Sequence, residues 1–196
     1  MSAEPLSGAI ALPDGTLIRG RGRREPLPTG PSPDFGLYLG RDPDRPRRIR
    51  RRRAWRPDWP ADWIDWPDFG TPRHDRLAAA AIERAYLLAR AGQRVEVACD
   101  GGTGRTGTVL SCMAILAGHP SGDAIAWTRR NYRPRAVETP GQKRWVQRFA
   151  EFPKAPPRHG PTPPRTDGPM SPPQAGRDFP ADMKRPRSHG RDPGSG

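Results

Sequence analysis

Cysteine is scarce in this sequence, with only Cys99 and Cys112 among 196 residues. Two thiols are too few for the disulfide framework of a small secreted domain, and a reactive thiol needs a reducing compartment. The first residues lack the basic flank and the apolar core of a signal peptide. The chain also lacks a run of about 18 apolar residues, the length that spans a membrane. We therefore expect a cytoplasmic protein with no membrane partner.

Apolar side chains are also in short supply, at 33% of the residues. That amount supports one modest domain, provided that it is concentrated in part of the chain. Residues 153–196 hold 12 of the 27 prolines and only three large apolar side chains, Met170, Phe179 and Met183. Such a segment cannot bury enough surface to offset the entropy lost on ordering. We predict one folded domain over residues 1–152, with the order of residues 1–10 left open, and a disordered Pro/Arg-rich tail over 153–196.

Acidic residues are outnumbered by basic ones, 21 to 34, which gives a net charge of +13. Eight arginines lie between Arg45 and Arg56. Because clustered arginines attract phosphate-rich surfaces, this run is interpreted as a patch for nucleic acid or another acidic surface, or else as a solvated loop or strand edge. The second interpretation is favoured. No segment matches a named nucleic-acid-binding module, so nucleic acid is a partner that no motif supports.

Apolar periodicity predicts strands that alternate with helices. Strands are expected near residues 16–19, 35–39 and 95–98, and helices over 72–91, 106–117, 121–130 and 139–152. Residues 59–72 are rich in Trp, Pro and Gly and are expected to form an ordered loop. This order implies an α/β domain whose central, mostly parallel sheet is flanked by helices, with its active loop at the carboxyl end of a central strand.

The sequence also predicts four features of these helices. The predicted apolar stripe of the first helix consists of Leu77, Ala81, Ala85 and Leu88. Ser121 is the predicted N-cap of the third helix, and Thr139 is the predicted N-cap of the fourth. The second helix is apolar nearly all round, so we expect it to be enclosed by its neighbours.

A glycine-rich loop follows the predicted strand that ends at Cys99. Its residues are Asp100-Gly101-Gly102-Thr103-Gly104-Arg105, after which the second helix begins. Glycines let successive backbone N–H groups converge on one point, and the helix directs its unpaired N–H groups and its positive dipole end there too. Arg105 adds a planar fork that can bind two oxygens at once, and the positive field favours the thiolate of Cys99. The loop is therefore predicted to hold a tetrahedral oxyanion beside a cysteine nucleophile.

This loop resembles the signature of the protein tyrosine phosphatase superfamily, HCxxGxxR[ST], from Cys99 to Gly107. The segment Trp66-Pro67-Asp68-Phe69-Gly70-Thr71-Pro72 is similar to the WPD loop of the tyrosine-specific branch. A third segment, Val137-Glu138-Thr139-Pro140-Gly141-Gln142, is similar to the family's Q-loop region. The resemblance in the order of elements covers residues 10–152. In its bias toward Arg, Ala, Gly and Pro, the chain is similar to small phosphatase-like proteins of actinobacteria.

The resemblance implies a fold and an activity. Residues 1–152 would form a phosphatase-like catalytic domain with the protein tyrosine phosphatase-like fold. Its substrate would be a phosphorylated protein, and it would hydrolyse phosphotyrosine, or act with dual specificity, through a phosphocysteine intermediate. No cofactor is implied, and we expect a monomer.

The resemblance also implies a role for each matching residue. Cys99 would be the nucleophile, and Asp68 would protonate the leaving group and then activate water. Thr106 would stabilise the departing thiolate, and Gln142 would position the hydrolytic water. The implied phosphate-binding residues are Asp100, Gly101, Gly102, Thr103, Gly104 and Arg105.

Three positions depart from the family pattern. Ala98 stands where the signature has histidine, Asp100 adds a negative charge beside the nucleophile, and Glu138 stands where tyrosine-specific members tend to carry glutamine. These differences leave open a second function, a catalytically weak or inactive phosphoprotein-binding protein. The arginine-rich segments leave open a third, a nucleic-acid binder. Two other acids, Asp62 and Asp65, are expected to cap or to pair with nearby arginines.

The remaining candidate residues carry weaker signals. Cys112 could form a disulfide with an oxidised Cys99, but it lies about two turns along an apolar helix, so a core cysteine is favoured. The four histidines show no metal-ligand spacing with cysteine or carboxylate. They are His74, His119, His159 and His189. We therefore predict no metal site.

Overall fold

Five strands form one sheet in the computed structural model, which describes residues 4–42 and 55–152. All of these residues belong to one compact unit. The strands are β1 (Ala9–Ala11), β2 (Leu17–Gly22), β3 (Phe35–Leu39), β4 (Ala61–Ile64) and β5 (Val95–Cys99). The helices are α1 (Asp75–Arg90), α2 (Gly104–Leu116), α3 (Ala124–Asn131) and α4 (Pro140–Arg148), and a short 3-10 turn (Phe149–Glu151) follows α4.

The sheet has the strand order β1-β2-β5-β3-β4, and only the β1–β2 pair is antiparallel. The predicted α/β fold with a mostly parallel sheet is therefore confirmed, and β5 is its central strand. The carboxyl ends of neighbouring parallel strands meet at one edge of a sheet. The segments that follow β2, β3 and β4 consequently approach the segment that follows Cys99.

One face of the sheet is apolar and is covered by α1 and α2. Leu37 of β3 and Val97 of β5 are fully buried there against Ile82 of α1 and Met113 of α2. Helix α2 is buried from its first residue to Ala114, as its nearly uniform apolar character predicts. The loop that enters α2 is therefore attached to a helix enclosed by the core.

The opposite face carries a buried ionic cluster that the sequence did not predict. Glu96 is fully buried and accepts hydrogen bonds from Nε of Arg19 (2.9 Å), Nε of Arg21 (2.8 Å) and the Tyr38 hydroxyl (3.1 Å). Burial, together with the nearby carboxylate, raises the pKa of Tyr38 above its usual value. A buried carboxylate without such partners would be strongly destabilising, so the two arginines make Glu96 tolerable within the central strand.

The predicted N-cap of the fourth helix is confirmed, whereas that of the third is wrong. The Thr139 hydroxyl accepts a hydrogen bond from the backbone N–H of Gln142, and the Gln142 side chain completes a capping box. Helix α3 instead begins at Ala124, and Asp123 occupies its N-cap position without a capping side-chain bond. Residues around Ser121 form turns before the helix, because Pro120 favours a turn at that point.

Two further predictions need correction. Leu77 is 58% exposed and lies outside the buried face of α1, because Ile82 and Tyr86 bring a neighbouring stripe against the sheet. The segment 59–72 is not entirely a loop, since strand β4 pairs with β3 inside it. Its four residues are too few for a clear alternating pattern between flanking prolines.

Some predictions fall on residues that lie outside the described ranges. These are the tail over 153–196 and the arginine run, except Trp55 and Arg56. Of residues 1–10, Leu6 is buried and Ala9 begins β1, so the folded unit includes part of that segment. Within the described ranges, no helix is long and apolar enough to cross a membrane.

Candidate active site

The loop after Cys99 lies at the carboxyl edge of the sheet, between the ends of β2 and β3. Helix α2 begins at Gly104, so its N-terminus faces this loop. Gly102 has φ +72°, and a Cβ there would lie 2.4 Å from the backbone nitrogen of Gly22. Both the backbone conformation and the close approach to β2 therefore require glycine at this position.

Cys99 is 2% exposed, at the base of the loop. Its Sγ accepts a hydrogen bond from the backbone N–H of Gly102 (3.1 Å). Its own N–H donates to Oγ1 of Thr106 (3.0 Å), and that hydroxyl donates to the Arg21 carbonyl at 3.5 Å. The Thr106 hydroxyl is thus bonded to the backbone of Cys99 and of Arg21. It lies close to Cys99, the residue whose thiolate it would stabilise according to the resemblance.

Arg105 is 4% exposed and holds together the segments that follow β3 and β4. Its Nη1 donates to the carbonyls of Leu39 (3.2 Å) and Trp66 (3.1 Å). Its Nη2 forms ion pairs with Asp68 (2.9 Å) and Asp100 (3.5 Å). Its Nε is buried and has no hydrogen-bond partner. Nε and Nη2 form one edge of the guanidinium, so this edge has one unused donor and one donor held by carboxylates.

The segment from Trp66 to Gly70 places Asp68 over the loop. The Trp66 indole is 1% exposed, packs against Trp145 with ring centroids 5.2 Å apart, and donates to the Gly70 carbonyl (2.8 Å). Asp68 is 60% exposed and reaches Arg105 from this anchored turn. The two sequence motifs, 31 residues apart, therefore meet at one site.

Gln142 is fully buried and caps the N-terminus of α4. Its Oε1 accepts hydrogen bonds from the backbone N–H groups of Glu138 (2.9 Å) and Thr139 (3.4 Å). Its Nε2 donates to the Gly70 carbonyl at 3.4 Å and lies beside Gly104. Gln142 therefore joins α4 to both the Asp68 turn and the loop.

Asp100 faces the site and is balanced by an arginine that the sequence did not single out. Arg23 forms an ion pair with Asp100 through Nη2, and its guanidinium lies 5.0 Å from the centre of the Trp63 ring. Asp100 also contacts Arg105. The negative charge beside Cys99 is therefore shared between two arginines, which reduces its repulsion of a bound anion.

The other nearby acids do not contact Arg105 as Asp68 does. Asp62 pairs with Arg84 (2.8 Å) and Asp65 pairs with Arg73 (3.5 Å), as predicted. Glu138 is exposed, and its carboxylate lies against Gly104, so a Cβ at Gly104 would be only 2.2 Å from its Oε2.

A cavity of about 580 Å³ opens over Arg105. Its walls come from the ends of β3 and β4 and from the loop, and they include Gly40, Arg41, Trp66, Asp68 and Asp100.

Within the described ranges, no group of three or more His, Cys, Asp or Glu side chains could hold a metal ion. Cys112 is a free thiol buried in the core, and burial raises its pKa well above the usual value.

Two further side chains that sequence reasoning missed contact the loop from outside. The Tyr132 hydroxyl donates to the Gly102 carbonyl (2.5 Å), and Arg133 donates to the Gly101 carbonyl (3.0 Å). The sequence signal for both was weak: a Tyr-Arg-Pro triplet in the turn after α3, just before the motif that contains Gln142.

No model of a protein family matches the chain. Two curated relatives, the protein tyrosine phosphatase domain-containing protein 1 of Danio rerio and that of Mus musculus, are 26% and 29% identical to it over 87 residues. The matched region is 44% of this chain but only 12% and 11% of those relatives.

Solved structures extend the comparison to most of the domain. The crystal structure of Tk-PTP in its active form has a TM-score of 0.53 and 23% identity, and the match covers 74% of this chain and 97% of that one. A mutant form of Tk-PTP has a TM-score of 0.50 and 25% identity, covering 61% and 77%. The chain therefore has the protein tyrosine phosphatase-like fold, and over 87 residues its sequence is similar to protein tyrosine phosphatase domain-containing proteins.

Proposed function

We propose that the protein hydrolyses phosphotyrosine in phosphorylated proteins through a phosphocysteine intermediate on Cys99, with Asp68 as general acid. The observation that carries the proposal is the convergence on Arg105. The guanidinium contacts the Asp68 carboxylate (2.9 Å) above a loop whose Gly102 N–H points at the Cys99 sulfur (3.1 Å). The Arg105 fork and the Asp68 carboxylate thus line one cavity, and Cys99 lies at the base of the loop beside it. This arrangement suits displacement at phosphorus.

The first step transfers the phosphoryl group to sulfur. A phosphate dianion would take the Nε and Nη2 edge of Arg105 and displace the Asp68 carboxylate from Nη2. The Cys99 thiolate attacks phosphorus, and the bond to the leaving phenolate oxygen breaks. Asp68, in its protonated form, gives its proton to that oxygen, so tyrosine leaves as a neutral phenol. The exposure of Asp68 at the cavity mouth suits contact with a departing group.

The second step hydrolyses the phosphocysteine. Asp68, now a carboxylate, takes a proton from water as the water oxygen attacks phosphorus, and the phosphorus–sulfur bond breaks to return the thiolate. The Gln142 amide, adjacent to Gly104 and the Asp68 turn, would orient that water. Thr106 would stabilise the departing thiolate. Its hydroxyl would also hold the Cys99 backbone in place while the thiolate re-forms, because it accepts the Cys99 N–H.

Turnover of an aryl phosphate in the presence of a chelator tests the proposal. Wild-type protein is expected to release inorganic phosphate without metal and to be inhibited competitively by vanadate, a phosphate analogue for which this loop is built. Steady-state kinetics with p-nitrophenyl phosphate and with a phosphotyrosine peptide provide the measurement. Protein that neither turns over the substrates nor binds vanadate would exclude the proposed hydrolase.

The second candidate function is a phosphoprotein-binding module with little or no catalysis. It is favoured by the Asp100 carboxylate, which lies 3.5 Å from Nη2 of Arg105, and by the Glu138 carboxylate against Gly104. Both charges oppose a phosphate dianion beside Cys99. Saturable binding of a phosphotyrosine peptide by wild-type protein, with no phosphate released, would select this function over the hydrolase.

Replacing Asp68 with asparagine is expected to lower kcat by roughly 10²-fold, the usual contribution of a positioned general acid. The loss should grow as the leaving group becomes more basic, because a better leaving group needs less protonation. The slope of log kcat against leaving-group pKa, over a series of aryl phosphates, measures this. Asp62→Asn is the matched control, since Asp62 also pairs with an arginine (2.8 Å) but lies away from Arg105. An equal, small loss in both variants would remove Asp68 from its proposed role.

A further inference from the structure

Four successive peptide groups of the Cys99 loop have their carbonyl oxygens bonded on the outside of the loop. The carbonyls of Cys99 and Asp100 accept hydrogen bonds from the backbone N–H groups of Arg23 (2.7 Å) and Arg24 (3.2 Å). The carbonyls of Gly101 and Gly102 accept from the side chains of Arg133 (3.0 Å) and Tyr132 (2.5 Å). The Gly101 carbonyl also accepts from the Thr103 hydroxyl at 3.4 Å, so each of the four carbonyls has at least one donor of its own.

Fixing the carbonyls also fixes the N–H groups. In a trans peptide the C=O and N–H bonds point in opposite directions, so a carbonyl held outside turns the next residue's N–H inward. The peptide between Gly101 and Gly102 illustrates this, because its oxygen is bonded to Arg133 while its N–H points at the sulfur of Cys99 (3.1 Å). The same geometry turns the N–H of Thr103 inward when Tyr132 holds the Gly102 carbonyl.

Tyr132 is built to be a donor at this position. Tyr132 is partly buried, and this burial raises its pKa above the usual value, so the phenol keeps its proton. The ring fits because Gly20 of β2 has no side chain: a Cβ there would lie 2.8 Å from Cε2 of Tyr132. Strand β2, which lies next to β5, thus leaves space for the Tyr132 ring.

Arg133 is held in turn by a carboxylate. Its Nη2 donates to both carboxylate oxygens of Glu25 (2.7 and 3.0 Å), and Glu25 accepts the N–H of Gly22 (3.1 Å). Burial acts to raise the pKa of Glu25, but the bonds from Arg133 and Gly22 leave that pKa below its usual value. The end of β2, the turn after α3 and the Cys99 loop are thereby joined in one network.

We propose that Tyr132 and Arg133 are positioning residues for the anion-binding loop. Tyr132 turns the N–H of Thr103 toward the bound oxyanion, and Arg133 holds the N–H of Gly102 against the Cys99 sulfur. This inference rests on the proposed function, since it assumes that the loop binds phosphate. The two residues occupy adjacent positions after α3, and each fixes one of two adjacent peptides. Their side chains can be changed by substitution, whereas the donors to the Cys99 and Asp100 carbonyls are the backbone N–H groups of Arg23 and Arg24.

Tyr132→Phe tests the inference because it removes one hydroxyl and keeps the ring. Binding of tungstate, a tetrahedral dianion, is measured by calorimetry, with kcat/KM for an aryl phosphate and the melting temperature measured on the same preparations. The matched control is Tyr86→Phe, which removes a similar bond, from the Tyr86 hydroxyl to Asp14 (2.7 Å), outside the site. We expect Tyr132→Phe to weaken tungstate binding and kcat/KM by about 2- to 10-fold, the range for one hydrogen bond. The control should bind tungstate as the wild type does.

Arg133→Lys is a second variant that keeps the positive charge but cannot bond Gly101 and both oxygens of Glu25 together. It should weaken tungstate binding in the same direction, at a melting temperature close to that of Tyr86→Phe. Wild-type affinity for tungstate in both Tyr132→Phe and Arg133→Lys would overturn the inference and leave the proposed function standing. Equal weakening in Tyr86→Phe would also overturn it, because the effect would then be general destabilisation. A wild-type protein that neither binds tungstate nor turns over substrate would overturn the proposed function and this inference together.

Discussion

Replacing Cys99 with serine is expected to lower hydrolysis of an aryl phosphate by roughly 10⁴-fold or more, the order of loss seen when an enzyme's nucleophile is removed. A serine hydroxyl is far less acidic than a thiol and is therefore a much weaker nucleophile at this position, where the Gly102 N–H donates to Sγ (3.1 Å). Steady-state kinetics measure the loss. Mass spectrometry of acid-quenched protein should detect a phosphoryl adduct in wild type and none in the variant.

Tungstate binding separates this chemical loss from a loss of the site. Serine is close in size to cysteine, so the Cys99→Ser variant should bind tungstate within a few-fold of wild type. Cys112→Ala is the matched control, because that thiol is fully buried in the core and burial raises its pKa, which keeps it protonated and unreactive. Residual turnover in Cys99→Ser equal to that of Cys112→Ala would disprove covalent catalysis on Cys99.

The central strand and its loop could be predicted because their signals are local. Val95 to Ala98 is short and apolar except for Glu96, and the glycines and arginine that follow it have the spacing of an anion-binding loop. The capping box at Thr139 and Gln142 is local in the same sense, since both partners lie within four residues. The complete burial of Gln142 and the bond from its amide to the Gly70 carbonyl could not be predicted in this way, because Gly70 lies 72 residues earlier in the chain.

The supporting residues could not be predicted because their partners are backbone atoms brought near by the fold. Arg23 follows β2, and its N–H meets the Cys99 carbonyl only because β2 and β5 are neighbours in parallel register. Tyr132 and Arg133 bond two loop carbonyls that carry no sequence signal of their own. Periodicity describes which side chains are buried, but it does not describe which carbonyls need a donor.

Glu96 illustrates the same limit within the core. A charged residue in a central strand contradicts the simple apolar pattern, and its two arginine partners lie about 75 residues earlier in the chain. Only the register of β2 against β5, which pairs Arg19 with Glu96, brings them together. The cluster is a long-range arrangement that no window of sequence contains.

Replacing Arg105 with lysine is expected to lower kcat/KM for an aryl phosphate by about 10³-fold, although the charge is kept. The guanidinium performs two tasks at once. Its Nη1 holds the carbonyls of Leu39 and Trp66, which joins the segments at the ends of β3 and β4, while Nε and Nη2 would present a flat edge to the proposed oxyanion. A lysine ammonium is a single point on a flexible stem, so it can replace one of these tasks and not both.

The two tasks predict a particular pattern in the Arg105→Lys variant. Loss of the Trp66 contact should loosen the turn that carries Asp68, so kcat should fall as well as the affinity for tungstate. Arg94→Lys is the matched control, because Arg94 also pairs with a carboxylate, that of Asp34 (2.6 and 3.0 Å), but lies outside the cavity. That variant should lose some thermal stability and little activity. If Arg105→Lys keeps both kcat and tungstate affinity near those of Arg94→Lys, then the fork of Arg105 does not bind the substrate, and the positive charge of the loop alone accounts for its recognition of phosphate.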